Sequence, residues 1–197
     1  MTSCPILYIV IPCFNEETVL PVTNTLFLDK LKDFIAAGEI SAESRILFVD
    51  DGSRDNTWSV ISELHQKNAY FEGLKLSRNC GHQNALLAGL MTAKNHADIT
   101  ISIDCDGQDD VDAMNRMLQE YKGGADIVYG VRAARDTDTK FKRNTAKGFY
   151  RILNFLGAEV VFNHADYRLM SRRALEGLSE FREVNLFLRG LIPLVGF

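Results

Sequence analysis

The alternation of short apolar segments with segments of helical periodicity most constrains the fold of this sequence. Residues 6–11 form a continuous, β-branched apolar run, typical of a strand buried on both faces of a parallel sheet. Residues 16–37 follow with apolar side chains at helical spacing. Further strands are predicted at 45–49, 71–76, 99–103 and 126–129, with helices after Asp55, at 81–95 and around 114–121. This order predicts an α/β domain with a mostly parallel, doubly wound sheet and helices on both of its faces.

Composition indicates one soluble domain spanning residues 1–197. The chain is 46% hydrophobic and 24% charged, which supports one buried core, and no apolar run approaches the roughly 18 to 20 residues that cross a bilayer. Its start has neither the basic flank nor the cleavage site of a signal peptide. Four cysteines without a C-x-x-C pair predict free thiols in a reducing, cytosolic compartment.

The net charge of −4 conceals an uneven distribution of charge along the chain. Residues 1–131 contain 10 basic and 19 acidic residues, whereas residues 132–197 contain 12 basic and 7 acidic residues. We therefore expect the two halves to face different partners. The acidic first half and the single Trp58 argue against an extended nucleic-acid groove, so no nucleic-acid partner is expected.

Polar clusters follow three of the predicted strands, at 12–16, 50–53 and 104–108. The carboxyl ends of parallel strands form the ligand-binding edge of such a sheet, so these clusters should converge. The sequence contains no phosphate-loop, G-x-G-x-x-G, H-E-x-x-H or G-x-S-x-G motif. P-loop enzymes, dinucleotide-dependent dehydrogenases, zincins and serine hydrolases are therefore disfavoured.

Carboxylates dominate these clusters. Asp104 and Asp106, followed by the amide of Gln108, suit a Mg²⁺ or Mn²⁺ ion that clamps a diphosphate; the alternative is a solvated acidic turn. The adjacent Asp50 and Asp51 either accept hydrogen bonds from a ligand or form a helix-capping turn.

The clusters together resemble one enzyme family. The segments P-C-F-N-E-E, V-D-D-G-S-R-D-N-T, S-R-N-C-G-H-Q-N-A-L-L-A-G and I-D-C-D-G-Q-D are similar to those of glycosyltransferase family 2, which has the Rossmann-like GT-A fold. The later segments Y-G-V-R-A-A-R, F-K-R-N-T-A-K-G-F-Y-R-I-L-N and A-D-Y-R-L-M-S-R-R-A-L resemble the branch that makes polyprenyl-phosphate sugars, as dolichol-phosphate mannose synthase does. The resemblance covers essentially the whole chain in the right order.

The resemblance implies a set of site residues in the first half of the chain. Those expected to border the nucleotide sugar are Pro12, Cys13, Asn15, Glu16, Asp51, Arg78 and Asp104, with Asp51 accepting from the base. Those expected to hold the metal and the diphosphate are Asp104, Asp106 and Gln108. The sequence departs from the family pattern at Cys105, usually alanine, and at Gly107, usually apolar. Neither change removes a ligand.

The resemblance also implies an activity: inverting, Mn²⁺- or Mg²⁺-dependent transfer of a sugar from UDP-sugar or GDP-sugar to a polyprenyl phosphate at the cytoplasmic face of the membrane. The residues expected to act in catalysis are Asp104, Asp106, Asp166, Arg132 and Arg168. Arginines suit bidentate phosphate contact, so Arg132, Arg135 and Arg168 are predicted to hold the acceptor, with surface charge as the alternative. An oligomeric form of the enzyme is compatible with this activity.

Asp166, in a predicted loop, is expected to act as a base or to orient the acceptor; alternatively it pairs with Arg168 or Arg172 to fix that loop. Residues 141–156 combine apolar side chains at helical spacing with a basic row, which fits either an interfacial helix on an anionic membrane or a helix packed on the domain. These features assign residues 1–131 to the nucleotide and metal and residues 132–197 to the acceptor.

Three other functions are compatible with parts of the sequence. A family 2 enzyme acting on a saccharide hydroxyl in cell-surface polysaccharide synthesis is the closest rival, followed by an inactive nucleotide-sugar binding module. V-D-D also resembles the acidic pair of phospho-receiver domains, although Asp50 lies too far along the chain. Residues 191–197 are apolar where the resembling family continues, so we expect a catalytic part of a longer protein, with a further helix and membrane segments beyond it.

Overall fold

The computed structural model describes residues 4–131, 164–181 and 188–196. Its strands are β1 (Leu7–Cys13), β2 (Arg45–Asp50), β3 (Phe71–Lys75), β4 (Ile99–Ser102), β5 (Ile127–Val131) and β6 (His164–Ser171). Its helices are α1 (Leu20–Ala36), α2 (Thr57–Lys67), α3 (His82–Ala93), α4 (Ala113–Lys122), α5 (Arg172–Ser179) and the short α6 (Leu188–Leu191), followed by a 3₁₀ turn at Ile192–Val195. Arg132, Arg135 and the basic segment 141–156 lie outside the described residues.

The six strands form one sheet in the order β3-β2-β1-β4-β6-β5. β1 pairs in parallel with β2 and β4, and β2 pairs in parallel with β3. Every residue of the central strand β1 is buried, as its uninterrupted apolar sequence predicts. The prediction of a mostly parallel α/β sheet is confirmed.

Helices cover both faces of the sheet, as predicted. α1, α2 and α4 pack on one face around Phe27, Ile61 and Met114. α3, α5 and α6 pack on the other. At Gly89 a Cβ atom would lie 2.5 Å from a methyl group of Val10, so the absence of a side chain lets α3 lie close to the strands beneath it. Among the described residues, no helix is both long enough and apolar enough to cross a membrane.

The second half of the sheet differs from the sequence prediction. The sequence pattern predicts a loop at Asp166, whereas this residue lies on β6, which is inserted between β4 and β5 and runs antiparallel to both. Polar and apolar side chains alternate along β6, with Tyr167 and Leu169 packed on the α1 side and Met170 on the α3 side. Such alternation is typical of a strand with one solvated face, whereas the charged residues Asp166 and Arg168 are buried, at positions where apolar residues are the rule.

The first helix begins later than predicted. Residues 16–19 form a turn in which the Glu16 carbonyl accepts from the N–H groups of Val19 and Leu20, and α1 starts at Leu20. Pro21 stands in the first turn of the helix, where its missing N–H costs nothing. Glu16 is therefore a loop residue at the carboxyl edge of the sheet.

Candidate active site

A cavity of about 310 Å³ opens at the carboxyl ends of β1, β2 and β4. Its walls come from the loops after these strands, from the loop after β3 and from the start of α3. Predicted site residues that line it are Pro12, Cys13, Glu16, Asp51, Asp104 and Asp106. The convergence of the three polar clusters, expected from the parallel strand order, is therefore observed.

Three of the residues predicted to bind the nucleotide sugar or the metal do not line this cavity. Arg78 is exposed, and its neighbour Asn79 lines the wall instead. Asn15 is exposed with φ 58°, and it ties two loops together because its N–H donates to Ser53 Oγ and its side-chain oxygen accepts from the Arg54 N–H. Gln108 is exposed, and its N–H donates to Asp106 Oδ1 over 2.9 Å.

The two adjacent aspartates at the end of β2 have different surroundings. Asp50 is buried, and its Oδ1 accepts from the Ser53 N–H over 2.9 Å, which is the turn chemistry considered as the alternative. Asp51 is 3% exposed and lines the cavity, yet its carboxylate also accepts from the N–H groups of Cys80 at 2.7 Å and Gly81 at 2.9 Å. Asp51 thereby fixes the start of α3 against the end of β2.

Gly52 allows the loops after β2 and β3 to touch. Its φ is +65°, and a Cβ atom there would lie 2.4 Å from the backbone carbonyl carbon of Arg78. Only glycine combines this conformation with such a close approach of backbone. The wall containing Asp51 and Asn79 depends on this contact.

Three further carboxylates, those of Glu16, Asp104 and Asp106, line the cavity besides Asp51. Burial raises the pKa of Asp104, and the neighbouring carboxylates of Asp109, Asp166 and Asp106 raise it further, against the opposing effect of His82. Burial, with the charges of Asp106 and Asp55, also raises the pKa of Glu16. A site that disfavours its own negative charges in this way favours a bound cation.

The oxygen donors at this wall fit a hard divalent cation. Asp104 and Asp106 both line the cavity, and Asp106 is exposed at its mouth. Within the described ranges, no group of three or more His, Cys, Asp or Glu side chains has the arrangement of a metal site. Mg²⁺ is commonly bound through one or two carboxylates when substrate phosphates complete its shell, and a pair of carboxylates fits a site of that kind.

Two cysteines form the floor of the cavity. Cys13 ends β1 and Cys105 follows β4, and both are buried free thiols. Cys4, which is exposed, and Cys80, which is half-buried, are also free thiols. A hydrogen bond with the Cys105 thiol and burial hold the pKa of Cys13 well above its usual value. The raised pKa keeps the Cys13 thiol protonated, so Cys13 adds no negative charge to the cavity.

Asp166 lies behind the carboxylate wall and is held from two elements. Arg168, on the same strand, places Nη2 2.5 Å from Asp166 Oδ1, and Gln83 on α3 donates from Nε2 to Oδ2 over 2.9 Å. His82 Nε2 lies 3.3 Å from the same Oδ2 and 3.8 Å from Asp104 Oδ1. Oδ2 is thus the oxygen on the side of Asp104.

The surroundings of Arg168 match the pairing that was the alternative to a phosphate contact. Its side chain has no exposed surface and contacts Asp166, and its role toward an acceptor phosphate stays a prediction. The Asp166–Arg168 pair considered as the alternative is present, whereas Arg172 pairs with Asp98 at 3.2 Å.

Comparison with known proteins identifies the family. Residues 8–179 match the profile of the family described as glycosyl transferase family 2. The chain belongs to glycosyltransferase family 2. It is 52% identical over 195 residues to the uncharacterized glycosyltransferase YkoT of Bacillus subtilis (strain 168), covering 99% of this chain and 58% of that protein. It is 36% identical over 189 residues to the bactoprenol glucosyl transferase of Shigella phage SfV, covering 95% and 59%. The family 2 chain thus spans less than two thirds of these relatives.

Solved structures place the fold among GT-A glycosyltransferases. Glucosyl-3-phosphoglycerate synthase from Mycobacterium tuberculosis, in complex with UDP, has a TM-score of 0.60 at 16% identity, covering 86% of this chain and 58% of that one. The mannosyltransferase PcManGT from Pyrobaculum calidifontis, in complex with GDP-Man and Mn²⁺, has a TM-score of 0.55 at 19% identity, covering 90% and 47%. At these identities the likeness concerns the fold alone.

Sequence reasoning misses two residues of this family 2 site, His82 and Gln83. Both belong to the segment S-R-N-C-G-H-Q-N-A-L-L-A-G that carries part of the resemblance, which by itself assigns neither a role. The sequence could have indicated them by their position, because they form the first turn of α3 directly after Gly81. A helix that follows a parallel strand starts at the ligand-binding edge of the sheet.

Proposed function

We propose that this chain transfers a sugar from a UDP-sugar or GDP-sugar to a polyprenyl phosphate, with inversion and with Mn²⁺ or Mg²⁺, at the cytoplasmic face of a membrane. The observation that carries the proposal is the cavity lined by Asp51 on one side and by Asp104 and Asp106 on the other. Asp51 offers acceptor oxygens to a nucleobase, and the aspartate pair offers ligands to a cation. Family membership supports the same reaction class.

The donor half of the proposal rests on charge. A nucleoside diphosphate entering this cavity meets Asp104, Asp106 and Glu16, whose negative charges repel it. A divalent ion held by Asp104 and Asp106, with Gln108 as a further predicted ligand, would reverse this repulsion and stabilise the departing diphosphate. The related solved structures that contain UDP, or GDP-Man with Mn²⁺, are in keeping with this donor class.

The acceptor half rests on chemistry and on a relative. A polyprenyl phosphate is an anion at neutral pH, so its oxygen attacks without a strong general base and needs positive charge for positioning. Arg132 and Arg135, in the basic 132–197 half, remain the predicted phosphate-binding residues. The 36% identical phage relative is named a bactoprenol glucosyl transferase, which supports this class of acceptor and a site of action at a membrane.

A direct assay tests the proposal. The 197-residue chain is incubated with a panel of UDP- and GDP-sugars and a polyprenyl phosphate in detergent micelles, with Mn²⁺, with Mg²⁺, or with a chelator. We expect a glycosylated lipid phosphate and free nucleoside diphosphate from at least one donor, and loss of both products on chelation. Nucleotide binding by calorimetry without turnover for any donor would favour the inactive binding module, and unchanged activity with chelator would contradict the metal role.

Asp166→Asn separates the phosphate acceptor from the rival hydroxyl acceptor. A general base contributes roughly 10²–10⁴-fold to a reaction that needs one. With a polyprenyl phosphate we expect measurable turnover, reduced by about 10- to 100-fold because the orienting charge is lost. With a saccharide hydroxyl, turnover should fall below detection. Asp29→Asn, at an exposed position of α1, is the matched control. Loss of all transfer to polyprenyl phosphate in Asp166→Asn would contradict the phosphate-acceptor assignment.

A further inference from the structure

The carboxylate of Asp166 is held by groups from two separate elements, which limits the orientations that it can adopt. It is 6% exposed, and its Oδ1 contacts the buried guanidinium of Arg168 on the same strand. The hydrogen bond to Oδ2 comes from Gln83, which lies 83 positions earlier in the chain, on α3. Arg168 lies on the same strand as Asp166, so this contact does not fix the carboxylate relative to any other element. Gln83 lies at the start of α3, which borders the cavity, so its hydrogen bond fixes the carboxylate relative to the cavity.

Gln83 itself has few alternatives. Its Nε2 donates to Asp166 over 2.9 Å, and its Oε1 is buried with no hydrogen-bond partner among the described residues. A buried amide oxygen without a partner costs desolvation energy that an apolar side chain of similar size would avoid. The hydrogen bond to the buried Asp166 carboxylate therefore accounts for a glutamine at this position, whereas packing alone does not.

The start of α3 is anchored firmly enough for this role. Asp51 accepts from the N–H groups of Cys80 and Gly81, and Gly89 keeps the following turns close to the sheet. Gln83 is the second residue of the helix, so these contacts set its position. Asp51, which lines the cavity, therefore also fixes the position of Gln83, and Gln83 in turn holds Asp166.

We propose that Gln83 is a positioning residue for the transfer reaction, acting through Asp166. The inference rests on the proposed function. Gln83 keeps Oδ2 on the side of Asp104, where Oδ1 of Asp104 and Oδ2 of Asp166 both lie within 3.8 Å of His82 Nε2. Without the amide, Oδ2 loses its 2.9 Å hydrogen bond and keeps the 3.3 Å contact to His82 Nε2, so we expect the carboxylate to be less strictly oriented toward Asp104.

The test replaces Gln83 with methionine, which has a similar length and no donor. Gln66→Met is the matched control, because Gln66 is exposed on α2, away from the cavity. For Gln83→Met we expect kcat to fall by about tenfold or more, while the donor KM and the affinity for UDP or GDP with Mn²⁺ stay within about threefold. Gln66→Met should leave all of these unchanged. Equal melting temperatures of the two variants would exclude a folding defect as the cause.

A double-mutant cycle shows whether the effect passes through Asp166. In the Asp166→Asn background, Gln83→Met should change kcat by less than about twofold, because the carboxylate that Gln83 holds is already gone. Additive effects, or a change in donor KM without a change in kcat, would overturn the positioning role while the proposed function stands. A wild-type chain that transfers sugar to no acceptor would overturn the proposed function, and this inference with it.

Discussion

Asp106→Ala is expected to lower the rate of sugar transfer by about 10²–10³-fold, the size of effect seen when one group that stabilises transition-state charge is removed. Asp106 is exposed at the mouth of the cavity, and the hydrogen bond that its side chain accepts comes from the N–H of Gln108, two residues away, so the fold does not need this carboxylate. Its loss removes one of the two carboxylates that line the cavity beside Cys105. The measurement is initial-rate kinetics at saturating Mn²⁺, together with Mn²⁺ affinity in the presence of UDP or GDP.

Asp29→Ala provides the control for this experiment. Asp29 is exposed on α1 and belongs to the same acidic half of the chain, so its replacement changes the net charge equally. We expect wild-type rates and wild-type Mn²⁺ affinity from it. If Asp106→Ala behaved in the same way, the acidic-turn interpretation of residues 104–108 would be correct and the metal assignment would be wrong.

Gly52→Ala is expected to destabilise the protein by about 3 kcal/mol or more, for two reasons that add. The left-handed backbone at φ +65° costs a side-chain-bearing residue about 1–2 kcal/mol, and forcing extra atoms into a packed contact typically adds about 1–3 kcal/mol. The new Cβ would lie within 2.7 Å of three backbone atoms of Arg78 and Asn79, none of which can move as a side chain does. Denaturant unfolding measures the change, and calorimetry with UDP and GDP reports the distorted cavity wall.

Gly38→Ala isolates the contribution of the clash. Gly38 has φ +67°, nearly the same as Gly52, and no atom lies within 4 Å of the position that its Cβ would take. We expect about 1–2 kcal/mol of destabilisation and unchanged nucleotide binding. Equal effects of the two substitutions would mean that the loops after β2 and β3 can separate at little cost.

The first half of the fold is predictable because its strands are buried on both faces. An uninterrupted apolar run such as that of β1 has few interpretations, and each polar cluster follows directly where a strand ends. Parallel order then brings Asp51, Asp104 and Asp106 to one edge without further information. The chemistry of the cavity wall is therefore visible in the sequence.

The surroundings of Asp166 are not predictable in the same way. β6 carries buried charges, which pattern analysis assigns to the surface, so both the strand and the burial of Arg168 escape prediction. The contact between Gln83 and Asp166 joins residues far apart in sequence. They are neighbours because β6 pairs with β4 in the sheet and α3 covers one face of that sheet. No local sequence pattern predicts where a strand is inserted in a sheet.

The place of β6 in the sheet has a consequence for synthesis on the ribosome. β1 to β4 can pair as they emerge, and β4 then forms an open edge of the sheet. β5 pairs with β6, which is synthesised only after residues 132–163. An open strand edge is a template for pairing with other chains. We therefore expect misassembly of the nascent protein, and its dependence on chaperones, to be concentrated between the emergence of Ser102 and that of Ser171.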